Sequence, residues 1–305
     1  MLRGFAGACQ ARRFAPRARG FVTLAYLTPD LRVRLHVQSQ QELAFDRRSQ
    51  ERLTGILSCR IAGISFEGRQ ATAAGLRVGQ PILILREPSN PHDPDAVSIS
   101  TLLGQPLGYI PRDGTNELQN TGLSFGTVSS FGQTKSGHWG AAVYCYPHLL
   151  GLGCDPLPTN MGPAATAELL QRCAVGSPES CAALVAAQQC CEVSGTPAQR
   201  LSTSGGLVAV PVWQWDTVQQ QVRLLRLAAM AAPLASAKAL LAKTMAAMEL
   251  DEQGQVVTLP EPVLCPEMRL VCDINNWTLP DLQQHLSWAA RLSHTMTQQQ
   301  WQVKL

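Results

Sequence analysis

Charged residues are scarce in this sequence. Asp, Glu, Lys and Arg together make up 15% of its 305 residues, whereas apolar residues make up 45%. A globular domain usually has about a quarter of charged residues, and a disordered chain has more charge and less apolar content. The sequence also lacks any run of about 18 apolar residues, the length that a membrane-spanning helix needs. We therefore expect a folded chain, of about two domains, that does not associate with a membrane.

Motifs of nucleotide hydrolysis and of zinc binding are absent as well. The sequence has no G-x-x-x-x-G-K-[ST] phosphate loop, no C-x-x-C pair and no Cys/His array of zinc spacing. We therefore predict that the protein is not an enzyme and holds no cofactor, zinc included. The ten cysteines are interpreted as reduced structural thiols, because cysteine packs as a small apolar residue. Redox or metal use is the alternative for four that lie close together, which are Cys173, Cys181, Cys190 and Cys191.

Acidic residues are missing from the start of the chain, where none precedes Asp30. Residues 1–54 carry ten Lys/Arg against four Asp/Glu, residues 55–150 carry six against six, and residues 151–305 carry nine against twelve. An Arg-rich, acid-poor start without a continuous apolar run is typical of an organelle transit peptide. We therefore predict that residues 1–30 direct the protein to the mitochondrion or the chloroplast. The alternative is an unstructured basic tail that binds nucleic acid or steers the protein to the nucleus.

Residues 56–147 consist of short apolar runs separated by Gly, Pro, Asn and Asp. This spacing predicts a small β-barrel, preceded by a connecting segment at 31–55 that includes a strand at 31–37. A turn or two of helix is expected at 68–76 and at 113–122. The six predicted barrel strands are residues 59–65, 81–86, 96–101, 106–110, 125–131 and 139–146.

The remainder is predicted to be a linker at 148–163 and a mainly α-helical region at 164–305. Three residues are candidates for helix N-caps. Ser177 would cap a helix that runs to Gly195, and Asp216 would cap a helix over 217–232. Thr278 would cap the last helix. Pro233 should break the second of these before a further helix over 234–250. A short strand is expected at 207–213. The predicted fold class is therefore α+β.

The segment whose residues indicate a binding role is REPSNPHDPDAVSI, residues 86–99. Its three prolines exclude both helix and sheet interior, and they stiffen the backbone. Asn90 and Asp93 each precede a proline and are expected to bond to the nearby backbone. An ionised Asp93 accepts hydrogen bonds but donates none, so it would select a hydroxyl group over a phosphate. The sequence therefore predicts a rigid, polar loop that grips a hydroxyl or a phosphate.

This string resembles the signature of the HIRAN family, a module known from the N-termini of Rad5-like and helicase-like transcription factor remodellers. Three further segments resemble family segments in the right order, and they are residues 61–70, 76–88 and 104–113. The resemblance covers about 90 residues, and it implies an OB-like barrel. The ATPase motor and RING zinc site of the large remodellers have no counterpart in this sequence.

The resemblance also implies a binding site for the 3′-terminal nucleotide of single-stranded DNA. Asp93 would accept from the 3′-hydroxyl, His92 would stack on a base or touch phosphate, and Asn90 would shape the loop. Phe66 matches the aromatic end of the first strand, although the GISFEG segment is shorter and less aromatic than in the remodellers. Tyr109 and Arg112 would face the sugar–phosphate backbone of the DNA. Arg69 and Arg86 are further candidates for this contact.

A second stacking residue, Trp139, is suggested by its place after the TKSGH turn and not by any family motif. Structural roles are the alternative at several of these positions: Phe66 and Tyr109 as barrel core, Asp93 as a cap of its own turn, and Trp139 as a cover over the barrel end.

The function that we predict is recognition of single-stranded DNA (or RNA) and of its 3′-hydroxyl end, in DNA repair or replication-fork processing. The alternative is an adaptor that binds a protein partner through the helical region. A small enzyme is the third hypothesis, for which the sequence nominates no residues.

Overall fold

The computed structural model describes residues 57–66, 68–115, 118, 122–145, 150–251, 254, 256–258 and 265–305. The predicted transit peptide at 1–30 and the predicted strand at 31–37 lie outside the described residues. All nine site residues proposed from the sequence lie within them.

Six antiparallel strands and two short helices form the first half of the described chain. The strands are β1 (Leu57–Arg60), β2 (Pro81–Arg86), β3 (Val97–Thr101), β4 (Pro106–Tyr109), β5 (Ser124–Gln133) and β6 (Trp139–Cys145), in the sheet order β1-β6-β5-β2-β3-β4. The helices are α1 (Arg69–Ala74) and α2 (Arg112–Thr115). Five of the predicted strands are confirmed to within a few residues, whereas the first, predicted over 59–65, is observed at Leu57–Arg60 and is followed by a turn. The helical turn predicted at 68–76 is confirmed as α1, and the one predicted at 113–122 is confirmed at its start, as α2, with most of the rest outside the described residues. Short strands between Gly/Pro turns were therefore the right interpretation of this segment.

The sheet curls so that its two edge strands, β1 and β4, come close to each other. Ala62 pairs with Tyr109, and each backbone N–H donates to the carbonyl oxygen of the other residue at 2.9 Å. Gly108 permits this approach, because a Cβ at position 108 would collide with the carbonyl oxygen of Ala62. Its φ of 147° also lies in a region that L side chains rarely adopt. The curled sheet agrees with the expected OB-like architecture.

The strands of the barrel bury side chains on both faces. Along β2, Ile82 and Ile84 enter the barrel core, whereas Leu83 belongs to a second core shared with residues 150–301. Phe125 of β5 also belongs to this second core, because alternate residues of a strand point to opposite faces. The second half of the chain therefore covers the outer face of β2 and β5.

Residues 150–305 contain helices on a three-stranded sheet. The helices are α3 (Pro163–Cys173), α4 (Pro178–Ala186), a 3₁₀ turn (Ala198–Ser204), α5 (Ala232–Ala246), α6 (Pro266–Asn275) and α7 (Leu279–Gln298). The strands are β7 (Leu207–Asp216), β8 (Gln221–Ala231) and β11 (Gln302–Lys304), in the order β11-β8-β7, with a separate pair β9 (Glu249–Leu250) and β10 (Val256–Thr258). The predicted caps at Ser177 and Thr278 are confirmed, the latter as a capping box with Asp281.

The helix predicted over 217–232 is wrong, so the mainly helical description of 164–305 is right only in part. Residues 221–231 are strand β8, the centre of the sheet, paired with β7 along its whole length. A run with apolar residues on both faces looks the same in a buried strand and in a buried helix. Asp216 accepts from the backbone of Gln219 in the hairpin turn and does not cap a helix. The helix after Ser177 also ends at Ala186, before Gln188 and Gln189, which have positive φ.

The segment predicted as a linker contributes to the second core. Leu150, Leu152 and Cys154 are buried there. The backbone of this segment bonds to the second half of the chain, as when Asn275 donates to the carbonyl oxygen of Leu152 at 2.6 Å. Among the described residues, no helix combines the length and the apolar character that crossing a membrane requires.

Candidate nucleic-acid interface

The proline-rich loop between β2 and β3 is fixed by its own side chains. Glu87 N–H donates to Ala96 at 2.8 Å and closes the base of the loop. The side-chain oxygen of Asn90 accepts from His92 N–H at 3.0 Å, and that of Asp93 accepts from Asp95 N–H at 2.9 Å. The predicted bonds from Asn90 and Asp93 to the nearby backbone are therefore confirmed. Such bonds hold a loop rigid without a sheet ladder.

Tyr109 of β4 ties this loop to the barrel. Its hydroxyl donates to Glu87 Oε2 at 3.2 Å, and Asn90 Nδ2 donates both to that carboxylate at 3.2 Å and to the Tyr109 hydroxyl at 3.4 Å. Burial, and then the negative Glu87, raise the pKa of Tyr109. The phenol therefore stays protonated as a donor to Glu87. Asn90 and Tyr109 are largely occupied by internal bonds, which suits a role in shaping the site.

Asp93 and Arg112 present the polar groups that a ligand can reach. Arg112 Nε donates to Asp93 Oδ2 at 3.0 Å, and its Nη2 donates to the carbonyl oxygen of His92 at 3.2 Å. The Arg112 side chain is 79% exposed and that of Asp93 is 22% exposed. A carboxylate has about four acceptor positions, and the described bonds use one on each oxygen. Asp93 can therefore accept a hydroxyl group while it stays paired, and Arg112 can reach a phosphate.

Arg69, at the start of α1, is buried beneath the site. Its guanidinium lies 5.3 Å from the centre of the Tyr109 ring, and its Nη1 donates to the carbonyl oxygen of Gly63 at 3.1 Å. Gly63 lies in the β1–α1 loop that carries Phe66. Arg69 thus supports both Tyr109 and this loop from the inside.

Two aromatic groups lie on either side of α1. Phe66 is 66% exposed, so it is not part of the barrel core. Trp139 is half-buried at the start of β6, where it stacks on Phe131 at 5.9 Å between ring centres. Gln70 of α1 joins the two regions, because its Nε2 donates to the carbonyl oxygens of Ile64 and Trp139, each at 3.0 Å. Exposed aromatic faces of this kind can stack on unpaired bases.

Positive and negative side chains are balanced at this surface. Arg86 Nη2 pairs with Asp95 at 2.7 Å, as Arg112 pairs with Asp93 at 3.0 Å. Stacking and hydrogen bonds, more than net charge, are therefore the interactions that this surface offers a ligand. In the described parts of the chain, no group of three His, Cys, Asp or Glu side chains is placed to hold a metal ion.

The structure therefore groups most of the predicted residues around two loops and α1. Asn90, His92, Asp93, Tyr109 and Arg112 are linked by direct bonds, Arg69 and Phe66 adjoin them through the β1–α1 loop, and Trp139 is joined through Gln70. Arg86 ends β2, just before this loop, and its guanidinium pairs with Asp95.

Sequence reasoning missed Glu87, Asp95, Gln70 and Phe131. Glu87 and Asp95 lie inside the 86–99 string, so their place in this motif could have identified them as residues of the site. Gln70 and Phe131 both contact Trp139, which lies 69 residues after Gln70 and eight residues after Phe131. The sequence carries no signal for either contact. The spacing G-x-S-x-G also occurs at 122–126, but Ser124 is buried at the start of β5 and no helix follows, so it is not a nucleophile elbow.

Comparisons with known proteins identify one domain family in this chain. The model of the HIRAN domain family matches residues 54–130. A crystal structure of a protein from Lactobacillus plantarum is 27% identical, with a TM-score of 0.24, over 30% of this chain and 97% of that one. The crystal structure of the HIRAN domain of human HLTF is 16% identical, with a TM-score of 0.23, over 30% of this chain and 73% of that one. No curated protein matches. This chain therefore contains a HIRAN domain, at residues 54–130.

Proposed function

We propose that the barrel binds the end of a single nucleic-acid strand, preferring a 3′-hydroxyl of single-stranded DNA, and acts in DNA repair or replication-fork processing. A HIRAN domain implies nucleic-acid binding at the level of the family. The observation that carries the finer proposal is the Asp93 carboxylate, fixed by Asp95 N–H and Arg112 Nε yet still able to accept. An ionised carboxylate accepts hydrogen bonds but donates none, so a fixed Asp93 favours a terminal hydroxyl over a terminal phosphate.

The remaining groups fit a short stretch of strand next to that terminus. Phe66 and the exposed His92 offer faces for a base, and Arg112 offers a donor to a phosphate. Trp139 and Phe131 offer a further stacking surface beyond Gln70. Stacking contributes about 1–3 kcal/mol per base, so binding does not require a basic surface.

Anisotropy titration of the full chain with a 5′-labelled DNA single strand tests the proposal. The oligonucleotide is compared with copies that end in a 3′-deoxy or a 3′-phosphate group. A hydrogen bond to a charged group contributes about 1.5–3 kcal/mol. The free hydroxyl should therefore bind roughly ten- to a hundredfold more tightly than the 3′-deoxy end. Equal affinity for all three ends would remove end recognition and leave nucleic-acid binding in place.

The matched pair of variants is Asp93→Ala and Asp95→Ala. Both remove one carboxylate of the same loop, but the Asp95 carboxylate pairs with Arg86, whereas that of Asp93 pairs with Arg112. The preference for the 3′-hydroxyl should disappear in Asp93→Ala and persist in Asp95→Ala. A ribonucleotide strand of the same sequence, titrated in parallel, decides between DNA and RNA.

A protein-binding role for the second half is the second candidate. Three large apolar side chains are exposed around α3 and α4, and they are Leu170, Val175 and Val185, at 67%, 90% and 69%. Pull-down of a partner that is unaffected by DNA and lost when these three are changed to Ser would favour the adaptor.

We also propose import into the mitochondrion or the chloroplast. The support is the Arg-rich, acid-poor composition of residues 1–30.

A further inference from the structure

Two cysteines face each other across the first and last strands of the barrel. In the β1–β6 pairing, Cys59 lies opposite Val143 and Cys145 lies opposite Leu57. The two thiols are therefore diagonal neighbours on one face of the sheet, two residues apart in register. Both belong to the barrel interior, where Cys145 is fully buried and Cys59 is half-buried at the edge. The right-handed twist of a sheet brings one of its two diagonals closer together.

The two thiols lie close enough for each to shift the pKa of the other. The interaction with the Cys145 thiol lowers the pKa of Cys59 against the opposing effects of burial and of Asp113. The same interaction, together with burial, raises the pKa of Cys145. Cys59 is thus the member that forms a thiolate more readily, and it is also the member that solvent can reach. Cys145 is held beside it as a thiol.

We propose that Cys59 and Cys145 form a redox-modification site, at which a peroxide converts the two thiols into one intramolecular disulfide between β1 and β6. This inference is independent of the proposed nucleic-acid function. It differs from the interpretation of all ten cysteines as structural thiols, and it concerns a pair that the sequence did not single out, because 86 residues separate its members.

The chemistry proceeds in two balanced steps. The Cys59 thiolate attacks one peroxide oxygen, the O–O bond breaks, and Cys59 becomes a sulfenic acid while the other oxygen leaves as hydroxide and takes up a proton to become water. The Cys145 sulfur then attacks the Cys59 sulfur, the S–O bond breaks, and the oxygen leaves with the Cys145 proton as a second water. The two thiols have lost two electrons and the peroxide has gained them. A dithiol reductant reverses the change.

A disulfide requires the two sulfurs to approach to about 2.05 Å. Among the described residues β1 pairs with β6 alone, and the Ala62–Tyr109 bridge that closes the barrel lies two residues beyond its last residue, Arg60. A local shift of β1 at Cys59 toward β6 can therefore leave that bridge in place. Cys154, by contrast, is fully buried, and its thiol donates to the sulfur of Met245 at 3.4 Å, a thioether that cannot form a disulfide with it.

Non-reducing peptide mass spectrometry of the full chain tests the proposal. The native protein is treated with hydrogen peroxide, alkylated, and digested. The expected product is a cross-linked peptide that contains Cys59 and Cys145, lighter by two hydrogen atoms than its parts and absent after reduction. Cys181, which is exposed on α4, is the internal control, and it should stay alkylatable or join a second molecule.

The variant Cys145→Ala gives a second readout that does not depend on the cross-link. Without the resolving thiol, Cys59 should accumulate as a sulfenic acid that dimedone traps, whereas wild-type Cys59 should not be trapped. The proposal is overturned if peroxide leaves both cysteines alkylatable, if Cys59 pairs with another cysteine, or if dimedone labels Cys59 equally in the two proteins.

Discussion

Acid should weaken the junction between the barrel and the second half of the chain through one buried imidazole. His285 of α7 is fully buried, and its Nε2 accepts from Cys154 N–H at 2.8 Å. Its ring packs on Phe125 of β5, Trp277 and Trp288, with ring centres 5.2, 5.3 and 5.5 Å away. No described residue accepts a hydrogen bond from its Nδ1. A charged ring would lose the bond from Cys154 N–H and would find no hydrogen-bond acceptor for Nδ1 among the described residues.

The size of the effect follows from the pKa of His285. Burial first, and then the positive charge of Lys238, lower this pKa from 6.5 to about 3. Between these two values the unfolded chain binds a proton that the native protein does not, so stability falls as the pH falls from about 6.5 towards 3. Each pH unit in this window costs about 1.4 kcal/mol, which gives a loss of about 2 kcal/mol at pH 5.

Urea unfolding followed by tryptophan fluorescence measures this loss, because Trp277 and Trp288 contact the ring directly. The full chain is unfolded at pH 8, 6 and 5 beside the variant His285→Gln, whose amide oxygen can still accept from Cys154. The variant should be less stable at pH 8, since it loses the aromatic contacts. The difference in unfolding free energy between the wild type and the variant should be about 2 kcal/mol smaller at pH 5 than at pH 8, because the variant has no imidazole to protonate. His138→Gln, in the exposed turn between β5 and β6, is the control and should follow the wild type.

A difference between wild type and His285→Gln that stays constant from pH 8 to pH 5 would refute the reasoning. It would mean that the native protein admits a proton to His285 as readily as the unfolded chain does.

Three further predictions concern the barrel, its contact with the second half and the leader. Phe125→Ala should lower the free energy of unfolding by about 3–5 kcal/mol in urea titrations, because it leaves a cavity in the core that both halves share. The control Phe131→Ala, at a more exposed position, should lower it by about 1 kcal/mol or less. Equal losses would contradict the shared core. Gly108→Ala should destabilise the protein by more than about 1 kcal/mol in the same assay, since the added Cβ meets the Ala62 carbonyl that closes the barrel. Residues 1–30 fused to a fluorescent protein should enter an organelle in microscopy, and a cytosolic fusion would end the targeting proposal.

The salt dependence of DNA binding belongs with the end-recognition test. With one or two phosphate contacts, from Arg112 and at most one further arginine, the slope of log affinity against log salt should be about −0.7 to −1.4. A much steeper slope would mean that a basic surface outside this balanced site dominates binding.

The sequence alone determined the strands of the barrel and most of the candidate site. Gly, Pro, Asn and Asp mark the turns, and the bonds that Asn90 and Asp93 make to their own loop span two residues. Such features depend on local backbone chemistry, so they can be recognised without knowledge of the rest of the molecule. The same holds for the helix caps at Ser177 and Thr278.

Tertiary structure decided the features that depend on a distant partner. Residues 221–231 are a strand because β7 and β11 lie on either side of them to pair with, and the run itself fits a helix equally well. Leu83 and Phe125 point away from the barrel interior yet are buried, because the second half of the chain covers them. Tyr109, Glu87 and Asn90 form one network, and Cys59 meets Cys145, only once the barrel has closed. Local chemistry thus specified the loop that we propose to hold a strand end, and the packing of distant segments decided what supports it.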